Sequence, residues 1–136
     1  MGVSTDAILT FGIDLNDELP AFLTNAETEE EHDDLDDFLA HEAGLTDWRA
    51  EGHYEKKRAL VESCPVEIVR HCSGEYTMYI LAVRGTVRTA YRGHLTEIDP
   101  TSLVVSPEKI VSFKKWCEDH GVEYQEPKWF LVSFWN

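Results

Sequence analysis

A chain of 136 residues with 43% hydrophobic and 28% charged side chains has the size and composition of one globular domain. Four Trp, five Tyr and six Phe supply core material, and no apolar run approaches the roughly 20 residues that span a bilayer, so global disorder and a membrane-spanning helix are excluded. The formal net charge of −14 argues against direct binding to nucleic acid, whose phosphates would repel it.

The charge is localised. From Asp14 to Asp37 eleven acidic residues occur with no Lys or Arg, which leaves 15 acids against 12 bases elsewhere. Adaptation to high salt would spread acid over the whole surface. This pattern predicts one acidic helical insertion, residues 16–44, within a single domain spanning residues 1–136.

Ala7–Leu15 is a short apolar run that reads as a buried strand, with Gly12 marking a bulge or a close backbone approach. Thr24–Ala43 carries the acid and predicts a helix. Glu27–Glu31 would open it, Leu35, Phe38 and Leu39 form its apolar stripe, and Gly44 would end it. A second helix is expected over His53–Ser63, stopped by Pro65. Val66–Cys72 alternates as a strand, and Tyr76–Val83 is the most strand-like stretch, with Ser73-Gly74 as the turn between them. Val87–Tyr91 and His94–Ile98 read as two further short strands around Arg92-Gly93. Ser106, Pro107 and Glu108 open a helix that runs to His120, with Ile110, Phe113, Trp116 and Cys117 on its apolar face. Trp129–Trp135 closes the chain as a strand. It must pair within the sheet, because seven such residues left open would invite aggregation. The expected fold is α+β: an antiparallel or mixed sheet of about five strands with helices packed on one face.

Three groups of residues carry candidate chemistry. The first is the acidic surface of Glu27, Glu30, Glu31, Asp33, Asp34 and Asp37. It is read either as a solvated helix face or as a surrogate for a phosphate backbone that would occupy a basic groove on a partner protein. It lacks the Asp-x-Asp-x-Asp-Gly spacing of a calcium loop. The second is Arg84, Arg88 and Arg92, spaced every fourth residue, with Tyr91 beside them. On one continuous strand they would share a face and grip a nucleotide or other anion, with Tyr91 stacking on a base; if Gly85 breaks the strand, they pair with the acidic module instead. The third is the thiols and imidazoles. Cys64, Cys72 and Cys117 are odd in number and widely spaced, as reduced, mostly buried thiols are. His71-Cys72 and Cys117-x-x-His120 have no second ligand pair for zinc, and Cys72 with His71, His94 or His120 is only a nominal nucleophile–base pair. No phosphate-binding loop, dinucleotide motif or nucleophile elbow is present, so binding is expected rather than catalysis, with no cofactor and no metal. The start of the sequence has no basic segment before an apolar one, as a signal peptide would.

Three stretches resemble small uncharacterised accessory proteins of tailed bacteriophages. They are Asp6–Leu15 followed by acids and Pro20, Val66–Gly74 leading to Met78–Val83, and Trp116–Gly121 followed by Lys128–Trp135. The resemblance implies a viral protein with an accessory role in the cytoplasm of the bacterial host, where it would bind and inhibit a host factor; the acidic surface points to a nucleic-acid-binding one. The alternative expectation is a protein that sequesters a nucleotide or other anionic defence signal.

Overall fold

The computed structural model describes residues 5–23 and 35–135. Among the described residues, five strands and three α-helices give an α+β fold with a mixed sheet. The chain forms two compact units, residues 1–19 with 65–136 and residues 20–64.

The first unit is organised by β1 (Thr5–Asn16), whose length lets it serve three partners. Its first half pairs on one side with β5 (Lys128–Trp135) and on the other with β4 (Arg88–Tyr91). Its second half, from Gly12 to Asn16, pairs with β3 (Thr77–Val83). β2 (Val66–Ser73) lies antiparallel to β3 and meets the end of β5 in parallel, Cys72 opposite Phe134 and Ser73 opposite Trp135. The order β3-β2-β5-β1-β4, with β3 also bonded to β1, therefore closes on itself.

Gly12 sits where β1 changes partner. A Cβ there would overlap the carbonyl oxygen of Leu81 and stand 2.7 Å from the Cα of Ala82, so only glycine permits the approach. Between β3 and β4 the chain turns at Gly85, whose φ is +87°. Thr86 repairs the interrupted ladder. Its hydroxyl donates to the Val83 carbonyl at 2.7 Å, accepts from the Phe11 N–H at 3.2 Å and lies 3.2 Å from the hydroxyl of Thr10. Both threonines are buried, so these bonds satisfy groups that water cannot reach.

Strand alternation then divides the apolar residues between two faces. Ile8, Val69, Ile80 and Ala82 form the inner cluster, with Val87, Phe130, Val132 and Phe134 packed against it. Leu81 and Val83 point the other way and are fully buried on the face of β3 where α3 (Pro107–Asp119) packs. Phe113, Trp116 and Cys117 are the buried residues of α3, and Ser106 caps it by accepting the Lys109 N–H.

One predicted strand is absent. His94–Ile98 is irregular, with Leu95 91% exposed. Its alternation offers no apolar side to bury, and the Thr96 hydroxyl donates to the Thr89 carbonyl at 2.8 Å where a strand would have formed a ladder.

The second unit contains α1 (Leu35–Glu42) and α2 (His53–Ser63). The predicted helix over Thr24–Ala43 is described only from Leu35 onward; residues 24–34 lie outside the described residues. α1 stops at Gly44, φ +78°, and Leu45 donates its N–H back to Ala40. The Phe22 and Phe38 rings meet at 4.8 Å, and Leu23, Leu35, Ala40, His53 and Cys64 are buried.

Candidate functional site

Of the acidic stretch, Asp14, Asp17, Glu18, Asp36 and Asp37 are described, and all five are exposed. Asp36 and Asp37 stand in the first turn of α1, where the helix dipole favours negative charge. Asp37 bonds the Lys57 ammonium at 2.8 Å, and Asp14 accepts the backbone N–H of Asn16 at 2.9 Å. Glu27, Glu30, Glu31, Asp33 and Asp34 lie outside the described residues.

The three arginines are not placed along one strand. Arg84 lies beyond the end of β3, Arg88 begins β4 and Arg92 follows it, with the turn at Gly85 between the first two. Arg84 commits its guanidinium to its own unit: Nη1 reaches Glu67 at 3.1 Å and Nη2 reaches the Val66 carbonyl at 2.8 Å. Its acidic partner is a neighbouring strand residue, outside the acidic stretch. Arg88 donates to the carbonyls of Gly85 and Val87. Tyr91 is 63% exposed at the end of β4. The spacing by four carried no information about a shared face, because the backbone reverses direction inside it.

Among the thiols, Cys64 and Cys117 are buried and Cys72 is half-buried. Burial, with Glu118 beside it, pushes the Cys117 thiol up to about 11, which keeps it protonated and inert at neutral pH. His120 uses Nδ1 on the Trp116 carbonyl at 2.9 Å and stacks on the Trp116 ring at 3.8 Å, a role at the end of α3. His71 is different. Its Nε2 is buried without a hydrogen-bond partner. Burial holds its pKa below the usual imidazole value, against the opposing pull of Asp14. Among the described residues no three of His, Cys, Asp and Glu are grouped to hold a metal ion.

Two features were not anticipated from the sequence. One is the outer face of β5 and β1, where Leu9 stands opposite Leu131 and Phe11 opposite Trp129. Leu131 is 76% exposed and Trp135 48%, whereas the Trp129 indole is anchored by its N–H to the Leu103 carbonyl at 3.1 Å. The other is a cavity of about 390 Å³ in the helical unit, lined by Asp37, Ala40, His41, Leu45, Thr46, Trp48, His53 and Lys57. The available signal for it was His53 opening α2 five residues after Trp48, two large side chains flanking a turn that ends in Gly52, φ +74°.

Comparison with protein-family models, curated proteins and solved structures finds no match. No helix among the described residues is long and apolar enough to cross a membrane.

Proposed function

We propose that this protein is a non-catalytic binding protein that engages and inhibits a basic, nucleic-acid-binding protein in the cytoplasm of a bacterial host. The observation that supports the reading is the exposure of every described acid in a stretch that contains no base. Carboxylates on successive turns approximate the charge density of a phosphate backbone, about one charge per 1.7 Å of duplex axis. They steer a basic groove toward the protein and repel nucleic acid from it. The resemblance to phage accessory proteins supports the setting in an infected cell.

The test is capture of partners from bacterial lysate by the full chain, with and without four reversals: Glu27→Lys, Glu30→Lys, Glu31→Lys and Asp34→Lys. The expected partner is basic, is released as salt rises, is displaced by duplex DNA and is lost by the reversed variant at unchanged melting temperature. A partner held equally by both forms at all salt concentrations overturns the reading.

A further inference from the structure

We propose that the contact between β2 and β5 is an acid-released latch: protonation of the His71 ring parts the two strands and opens the closed sheet while its other pairings persist. The inference is independent of the acidic-surface reading.

The sheet is closed by a short seam. β2 meets β5 at two residue pairs, Cys72 with Phe134 and Ser73 with Trp135. β5 is otherwise held by β1, from Thr5 to Gly12, and β2 by β3, from Thr77 to Val83. Parting the seam therefore leaves both of those ladders intact. The seam is also strained, because Cys72 stands at φ +74°, in the left-handed region that residues other than glycine seldom adopt.

His71 is the residue before the seam. Among the described residues, its Nε2 is the buried side-chain nitrogen that has no hydrogen-bond partner. A neutral imidazole tolerates that position. It carries a single ring hydrogen and can hold it on Nδ1, which leaves Nε2 as a bare acceptor. An imidazolium carries both hydrogens, so it must bury an N–H with no acceptor beside it, and with it a positive charge. That cost is removed when the ring moves out to water. The adjoining seam of two pairs is where the backbone yields most readily.

Few charged or titratable groups surround the ring. β1 supplies Asp14, whose carboxylate favours the charged ring, and Asp6, the register partner of Phe134. β3 supplies Met78, the uncharged register partner of His71. β5 supplies no charged residue at the seam. The turn between β2 and β3 carries Glu75 and Tyr76, and Arg70 and Cys72 flank the ring on β2. Asp14 is exposed, and its Oδ1 accepts the Asn16 N–H at 2.9 Å. Burial outweighs its pull and holds the imidazole below its usual pKa. The ring is thus neutral and the seam closed at neutral pH, and acidification opens it.

The experiment is amide hydrogen exchange of the full chain followed by NMR, expressed as protection factors over a series from about pH 7.5 to about pH 5, which brackets the imidazole range. Protection of the amides that bond between β2 and β5 is expected to fall about tenfold or more toward the acid end. The β1–β5 and β2–β3 ladders are expected to keep theirs. His71→Phe keeps a ring that cannot take a proton, and its seam is expected to stay protected throughout. Asp14→Asn keeps an oxygen for the Asn16 N–H and removes the charge that favours the imidazolium, so opening should move to lower pH; this variant covers the case in which His71→Phe fails to fold. Seam protection that stays level across the series overturns the proposal, as does a parallel fall in all the ladders, which is global unfolding. So does the parent's response retained in His71→Phe, or an opening pH unmoved in Asp14→Asn.

Discussion

The closed sheet buries the polar side chains that hold it together, whereas the helical unit keeps its ion pair in water. In the sheet, Thr86 is matched with Thr10, Phe11 and Val83, and Arg84 with Glu67 and Val66, while the Nε2 of His71 is buried without a partner. In the helical unit, His53 and Lys57 surround a cavity, and the ion pair present there is open to water. A buried hydrogen bond contributes more than an ion pair open to water. Substitutions of the buried groups of the sheet should therefore cost more stability than substitutions of the exposed pair.

The strongest challenge to that division is removal of β5. Deleting residues 129–136 takes away a strand that pairs with both β1 and β2, and the remaining chain is expected to show no cooperative melt. A truncated chain that melts near the parent temperature would break the account of the sheet. Gly12→Val is expected to come next. Its Cβ meets backbone atoms of Leu81 and Ala82 that cannot move without separating β1 from β3, so the cost should exceed the 1–3 kcal/mol typical of overpacking, measured by urea denaturation.

Thr86→Val keeps the shape and removes the hydroxyl. It leaves the Phe11 N–H without its bond, and about 1–3 kcal/mol of stability should be lost. Asp37→Asn, by contrast, removes the charge from an exposed pair and should change stability by about 1 kcal/mol or less. If these last two variants proved equal, the contrast between the units would fail.

His71 adds a pH dependence to the sheet. Its folded pKa lies below the ordinary imidazole value because burial disfavours the charged ring. The unfolded chain therefore binds the proton more readily, and stability rises with pH. This contribution is complete above about pH 6.5 and is lost as pH falls from there toward the folded pKa. Urea midpoints measured across that window should fall on acidification, and His71→Phe should flatten the slope. A variant with the parent's slope would assign the effect elsewhere.

The sequence disclosed the parts of this fold that depend on local pattern. Ser106, Pro107 and the spacing of Phe113, Trp116 and Cys117 announced α3, and the apolar run from Trp129 announced β5. Gly12 was legible as a bulge or a close approach, and the contact with Leu81 and Ala82 decides for the close approach. His94–Ile98 misled because alternation without burial carries no energetic weight. The site was far less legible than the fold. The arginine spacing suggested a shared face only while the backbone was assumed straight, and Gly85 bends it. The groove depends on how Asp37 of α1 meets Trp48 and His53, and the Trp48–His53 spacing around Gly52 signals only part of that.

The register of β1 also has a consequence for how the chain is made. Residues 5–12 pair with residues 128–135, so β1 finds one of its main neighbours only once β5 has left the ribosome. The β2–β3 hairpin can form early from local contacts, whereas closure is a late step with a high loop-closure cost. Until β5 arrives, β1 exposes an unpaired edge to the cell. Folding of this sheet should therefore be slow for its size and sensitive to any factor that holds nascent β1 apart from other chains.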